Sequence, residues 1–316
     1  MFLGIEIGGT KLQLGIGRGD GILQSLWRGR VEPERGAAGI RAQIESAVPL
    51  LLEQAGLERG ALRGVGIGFG GPVDDATRTV IKSHQIEGWD GFPLAAWISA
   101  LLGLPAVLGN DADVAGLAEA LFGAGKGLSP IFYVTVGTGI GGGLIIDGNI
   151  YRGVGRGAAE IGHLAVWHFT SHAARRGPLE SLASGWGIVA TAEELLAERR
   201  DLDCLLRHLH TEKGKLTAED VANAARQFDP IARDALHIAL EELAFGLCQV
   251  IALLCPRRIV IGGGVSLMGE DLFFAPLRDA VARHVFRPFA DCYEIVPAAL
   301  GEEVVVHGAV ALAQKT

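Results

Sequence analysis

One pattern restricts this chain more than any other: an apolar strand, a glycine turn and a second apolar strand, met twice. Residues 2–7 read as a buried strand and Gly8-Gly9-Thr10-Lys11 as a tight turn. Leu12 to Gly17 and Gly21 to Arg28 are two further strands. Residues 131–150 then repeat strand, glycine turn, strand, turn. A duplicated β-β-β-α unit with glycine turns in matching places predicts two similar sheets facing one cleft, an α/β fold. The length of 316 residues agrees with two domains of about 150 residues each.

The other elements fall between and after these meanders. Ile40, Ile44, Val48, Leu51 and Leu52 have helical spacing and predict a helix over Ala37–Ala55, kinked at Pro49. A strand from Val65 ends in Gly70-Gly71-Pro72, where backbone can approach a ligand closely. Leu94 to Leu102 is a helix, Ala106–Leu108 a strand that delivers Asn110 and Asp111, and Val114 to Phe122 a helix. Residues 191–228 are helical with charged faces, and Ile231 to Leu254 is a long, nearly all-apolar helix expected between layers. A strand from Arg258 to Ile261 enters a third glycine turn, Gly262-Gly263-Gly264. Pro276–Phe286 (helix), Glu294–Val296 (strand) and Glu302–Ala313 (helix) finish the chain. The expected division gives residues 1–112 with 301–316 to a smaller domain and 113–300 to a larger one.

Half of the chain (49%) is hydrophobic and mean hydropathy is +0.32, so a sizeable core can be buried. No apolar run approaches the ~20 residues of a membrane span, and a strand starting at Phe2 leaves no room for a signal peptide. A cytoplasmic protein without a membrane partner is expected. The net charge of −8 argues against nucleic acid as a partner, and no helix-turn-helix segment precedes the first strand. Cys204, Cys248, Cys255 and Cys292 are scattered, with no Cys-x-x-Cys pair, and read as buried free thiols.

Gly137-x-Gly139-x-x-Gly142 and Gly66-x-Gly68-x-x-Gly71 fit a dinucleotide fingerprint by letter. The first is followed by a strand and the second by Pro72, so neither opens the helix that fingerprint requires. The P-loop pattern fails at Gly125-Lys126-Gly127. A glycine turn between strands is commonly a plain hairpin, but two in duplicated positions and a third at 262–264 favour cradles for phosphate, with Thr10 and Thr138 adding hydroxyls. Alone, Asp111 is either the cap of the next helix or a carboxylate placed to take a proton. Glu160 and His163 are either a surface pair or a grip on a polyol.

Gly4-Ile-Glu6-Ile-Gly8-Gly9-Thr10-Lys11, Asn110-Asp111-Ala and Gly137-Thr-Gly139-Ile-Gly-Gly-Gly stand in this order, followed by Glu160-Ile-Gly-His163, Leu179-Glu180 and Ile261-Gly-Gly-Gly264. Over essentially the whole chain this series resembles the ROK family (repressor, open reading frame, kinase), above all its glucokinase-like sugar kinases. The resemblance implies a ribonuclease-H-like (actin/hexokinase-type) duplicated two-domain fold with ATP and sugar meeting in a central cleft. It makes Asp111 the general base. Asn110, Glu160, His163 and Glu180 would hold sugar hydroxyls, with Gly71 close to the ring. Glu6, Gly8, Gly9, Thr10 and Lys11 would form the first phosphate turn, Thr138 and Gly139 the second, and Gly263 and Gly264 would lie by the adenosine. Mg²⁺ would ride on the phosphates.

Three departures stand out. The family's zinc loop, Cys-x-Cys-Gly-x-x-Gly-Cys-Leu-Glu, has its cysteine positions on Ser171, Ala173 and Pro178. His168 and His172 do not restore a tetrahedral set, so no structural zinc is expected. Packing and a turn at Arg175–Gly177 would order that loop, leaving His163 to bond sugar. At Ser83-His84-Gln85, glucose kinases of this type place an Asn on the sugar; Gln85 or His84 reaches further. Asp113 replaces an Asn of many relatives. The expectation is a homodimeric, ATP- and Mg²⁺-dependent hexose kinase, with glucose phosphorylated at its 6-hydroxyl as the default. Fructose, mannose, an N-acetylhexosamine or a cyclitol stay open as substrates. A sugar-sensing regulator without turnover is the alternative.

Overall fold

The computed structural model describes residues 1–83, 85–169 and 174–315. The chain runs β1 (Phe2–Ile7), β2 (Lys11–Gly17), β3 (Leu23–Arg30), α1 (Gly36–Gln54), β4 (Gly64–Phe69), β5 (Val73–Asp74) and β6 (Thr79–Val80). It continues through α2 (Leu94–Leu102), β7 (Ala106–Asn110) and α3 (Asp111–Leu121). Then come β8 (Ile131–Val136), β9 (Ile140–Ile146), β10 (Asn149–Ile150), β11 (Ala165–Phe169) and β12 (Ala174–Pro178). The helices α4 (Glu180–Ala183), α5 (Gly185–Glu198), α6 (Leu205–Lys213), α7 (Ala218–Arg226) and α8 (Pro230–Leu254) follow. The chain closes with β13 (Arg258–Gly262), α9 (Ala275–His284), β14 (Ile295–Pro297) and α10 (Val304–Ala313).

Two five-stranded sheets result, ordered β3-β2-β1-β4-β7 and β10-β9-β8-β13-β14. Counted within each sheet, both read third, second, first, fourth, fifth strand. In the first, β1 is antiparallel to β2, β2 to β3, and parallel pairing joins β1 to β4 and β4 to β7. Contacts group the chain into one unit of Met1–Tyr133, Gly143–Ala159 and Ala298–Thr316, and a second of Val134–Gly142 and Glu160–Pro297. This division passes through β8 and β9. Helix α3, assigned by sequence to the larger part, groups with the first unit.

In the first unit β1 sorts its side chains by the two-residue period of a strand. Leu3, Ile5 and Ile7 enter one core with Leu12, Leu14, Ile16 and with Ile40, Ile44 and Ile98 of α1 and α2. The opposite face is nearly bare, with Gly4, Gly15, Gly66 and Gly68 under α10, and that bareness lets the helix lie on the sheet. A Cβ on Gly66 would run into the carbonyl of Ala309, and one on Gly308 into that of Val114 in α3. Glu119 of α3 has no exposed surface. Its Oε1 accepts Ala299 and Leu300 N–H, each at 2.9 Å, and its Oε2 accepts Ala124 N–H at 2.7 Å. This carboxylate binds the returning chain to α3 just ahead of α10.

In the second unit α8 buries Ile231, Ala235, Leu236, Ala239, Leu243, Gly246, Leu247, Val250 and Ile251 against α4, α5, α7 and α9. Arg233, Asp234 and Glu241 lie off that face, so the helix is amphipathic rather than uniformly apolar. It also corrects the expectation from run length. Among the described residues α8 alone is long and apolar enough to cross a membrane, with a window of mean hydropathy 1.6 that is 56% buried.

The segment expected to be a loop ordered by a turn is a hairpin. Strand β11 pairs antiparallel with β12, Val166 opposite Gly177 and Ala165 opposite Pro178, and Leu179 N–H bonds Leu164 O at 2.8 Å. Residues 175–177 are therefore strand, not turn. Pro178 ends that strand; Ser171, Ala173 and His172 lie outside the described residues, as does the side chain of His168. Other boundaries move by a few residues. The third strand covers Leu23–Arg30 instead of 21–28, and α10 starts at Val304 because residues 301–303 form a 3-10 turn.

Candidate active site

In the first unit the tight turn after β1 is closed by Gly8 N–H bonding Lys11 O at 3.0 Å. Glu6, 4% exposed, meets Lys11 Nζ through Oε1 at 2.9 Å, and Lys11 also donates to Glu302 O at 3.0 Å. Burial pushes the Glu6 carboxyl up to about 7, Lys11 opposes it, and Asp111 and Glu302 add to the rise. Thr10 is exposed at the turn. Gln85 packs its carboxamide onto Gly9, where an added Cβ would strike it, so the residue expected at the sugar covers the first glycine turn. His84, weighed with it, lies outside the described residues.

The capping question at β7–α3 resolves in favour of Asn110. Its Oδ1 accepts Ala112 and Asp113 N–H, which is the N-cap bond pattern, and its Nδ2 donates to Gly71 O at 3.1 Å. Helix α3 therefore starts at Asp111, three residues before the expected Val114. Asp111 Oδ1 accepts Ala112 N–H at 2.8 Å. A Cβ built on Gly70 would stand 3.5 Å from Asp111 Oδ2 and 3.6 Å from Gly8 Cα. The carboxylate, Gly70 and the first glycine turn thus meet around one small space. Asp113, the third residue of α3, is buried.

In the second unit the turn after β8 is propped from two sides. Gly137 N–H bonds Gly139 O at 2.9 Å, and Gly185 N–H bonds Gly137 O at 2.8 Å. Gly185 opens α5, whose N-cap is Ser184, so a helix N-terminus abuts the turn, an arrangement that favours anions. The sequence reading missed it; Ser184 followed by Gly185 and Gly187 was the available signal. Gly263 has φ +88°, and a side chain there would meet the backbone of Val136. Gly137 and Gly264 face open space, and Thr138 is exposed.

Glu180 begins α4 and puts Oε2 3.4 Å from Ile140 N–H, against Gly139. Glu160 precedes the 3-10 turn Ile161–His163, and His163 N–H bonds Glu160 O at 3.1 Å. Glu160 is classed as exposed by surface area, yet the surrounding protein desolvates its carboxyl enough to raise its pKa, against His163 and with Glu180. His163 and Glu180 are therefore each within electrostatic reach of Glu160. Among the described residues no three His, Cys, Asp or Glu converge as metal ligands, and none of the four cysteines falls in the 165–180 segment. A concavity of about 320 Å³ elsewhere in this unit, lined by Arg233, His237, Leu240, Glu241 and Arg283 among others, holds none of these residues.

Glycine turns at matching places in sheets of one strand order, each with a carboxylate beside it, fit a sugar-kinase-like protein. The ROK family profile matches residues 2–316, and the chain belongs to the ROK family. A glucokinase of Halalkalibacterium halodurans is 32% identical over 97% of this chain and 93% of its own length. The N-acetylgalactosamine kinase AgaK of a Shewanella species is 33% identical over 90% of this chain and 88% of its own. A ROK family glucokinase from Streptomyces griseus, solved in complex with glucose and AMPPNP, superposes with a TM-score of 0.78. It is 31% identical, and the match covers 100% of this chain and 99% of that one.

Proposed function

We propose that this chain is an ATP-dependent hexose kinase, with Asp111 as general base and glucose as the default acceptor. The observation that carries the reading is the meeting of Asp111 Oδ2, Gly70 and Gly8. It puts a proton acceptor beside a turn able to take a phosphoryl group. Asp111 takes the proton of the acceptor hydroxyl as its oxygen bonds the γ-phosphorus, and the bond from that phosphorus to ADP breaks. Catalysis of this kind is mostly positioning and charge stabilisation. Backbone N–H groups of Gly9, Thr10 and of Thr138, Gly139 hold phosphate oxygens, with Gly8 shaping the first turn and Lys11 adding charge, and Gly263 and Gly264 admit the adenosine. Mg²⁺ bound to the triphosphate would neutralise charge developing on the phosphate oxygens. Asn110, Glu160, His163 and Glu180 bond sugar hydroxyls, and Gly71 lies by the ring. A ribonuclease-H-like two-domain arrangement with a central cleft, and a homodimer, belong to this proposal.

An N-acetylhexosamine is the second acceptor, favoured by Gln85. With that side chain on Gly9 rather than extended to a sugar, the position where relatives place Asn leaves room for a larger substituent. The test is ADP release over a panel of hexoses, amino sugars and cyclitols with ATP or polyphosphate as donor. Asp111→Asn is then run on the preferred pair, with sugar binding measured calorimetrically. Binding should persist while turnover falls by at least ~10²-fold, the scale of a lost general base. Turnover that survives the substitution would place the base elsewhere.

A further inference from the structure

The pairing of β1 with β2 sets Glu6 directly opposite Gln13, so the two side chains leave the sheet on the same face. Both are buried, at 4% and 2% exposure. Glu6 Oε1 is engaged by Lys11 at 2.9 Å, but Glu6 Oε2 and Gln13 Oε1 are each sealed from solvent with no hydrogen-bond partner. Two acceptors shut in together without a donor are an expensive arrangement. One proton on Oε2 satisfies both.

We infer that Glu6 is a positioning residue for Lys11 that works as a neutral acid, its Oε2 proton donated to Gln13 Oε1. The inference rests on the phosphate-binding reading of the first turn. As an acid, Glu6 holds the Lys11 ammonium by a hydrogen bond alone and leaves its charge for the triphosphate. Once ionised, it cancels much of that charge and sets a second negative group near Asp111. The charged groups facing Glu6 are Lys11 of β2, Asp111 at the start of α3 and Glu302 ahead of α10. Gln13 is opposite Arg28 of β3, which pairs with Glu303. Burial outweighs Lys11 among these and holds the carboxyl at about 7, so the acid form persists to neutrality.

The first arm of the test needs no substrate: NMR titration of the protein labelled with ¹³C at glutamate carboxyls. One resonance, missing in both Glu6→Gln and Glu6→Asp, should titrate near neutrality. Gln13→Met should lower its midpoint, because the neutral acid loses its acceptor. A midpoint below about 5, the ordinary carboxylate range, overturns the inference. So does a midpoint raised by Gln13→Met, which would mean that a reversed Gln13 amide donates to an ionised Glu6. The second arm compares ADP affinity of wild type and Glu6→Gln at about pH 6 and pH 8, so that titration of the nucleotide cancels. Wild type should weaken several-fold relative to the variant across that interval, and a constant ratio removes the link to Lys11. A chain that binds no nucleotide at either pH sinks the phosphate reading and the Lys11 role, while the NMR midpoint still decides the shared proton.

Discussion

The two glycine turns occupy matching places in sheets of identical strand order, yet they are furnished differently. The turn after β1 has the buried Glu6 carboxyl bonded to Lys11 beneath it, a carboxamide laid over Gly9 and the Asp111 carboxylate alongside. The turn after β8 is shaped mainly by backbone, with Gly185 of α5 bonding Gly137 and Gly263 pressed on Val136, and a single carboxylate, Glu180, lies against Gly139. The first turn leans mostly on side chains that can ionise or swing aside, the second mostly on main chain that cannot. The same topology can therefore supply an adjustable and a rigid version of one device, and the two should respond differently to substitution and pH.

The sharpest way to break that contrast is Asp111→Asn against Glu180→Gln. The first should lower kcat by about 10²–10⁴-fold; the second, acting through substrate grip, should appear mainly in KM for the sugar. Equal losses of kcat would erase the distinction. Next in size is the pH response of stability. The carboxyl of Glu6 lies near 7 in the fold against an ordinary value of 4.5. Folding therefore favours its protonated form, and that contribution is complete below about pH 4.5 and lost as pH rises through about 7. Its full size is on the order of 3 kcal/mol. Glu6→Gln should flatten the dependence of denaturation midpoint on pH over that interval, and an unchanged slope would show that Glu6 does not titrate there.

Glycine substitutions probe the same difference more gently. Gly263→Ala forces φ +88° on a residue with a side chain and drives that side chain into Val136 backbone. It should cost about 1–3 kcal/mol, and the thermal midpoint should fall by roughly 2–4 °C per kcal/mol. Gly9→Ala strikes chiefly the flexible end of Gln85, with Gln85 Cβ further off at 3.2 Å, and should cost less than about 1 kcal/mol. The reverse order would mean that Gln85 is fixed and the second turn pliable. The smallest effect expected is from chelation. With β11 and β12 paired through their backbones, EDTA should leave the thermal midpoint in place and elemental analysis should find no zinc in proportion to protein. One zinc per chain would reverse that expectation.

What the sequence made legible was whatever has a local cause. The meanders announce themselves by apolar strands around Gly8-Gly9 and Gly137–Gly139, and α8 by a long apolar periodicity. Asn110 and Asp111 were visible as a pair, although only the bond pattern shows that Asn110 does the capping. The hairpin of β11 and β12 was invisible because Trp167, Arg175 and Arg176 carry no strand alternation; its register comes from partners. The two-residue strands β5 and β6 are too short for any period to register. Nor could spacing reveal that Gln85 folds onto Gly9, that α5 abuts Gly137, or that Gln13 faces Glu6. Each of these is a meeting of residues from separate elements, settled by pairing and packing.

The first strand of this fold is sealed by its last helix. Helix α10 reaches the glycine face of β1, β2 and β4 only after some 300 further residues have been added, and Glu119 waits for Ala299 and Leu300 to fill its carboxylate. At about 5–20 residues per second, β1 stays uncovered on the ribosome for on the order of 15–60 seconds. The first sheet therefore cannot mature ahead of the rest during translation, and chaperone demand should concentrate on the nascent N-terminal portion.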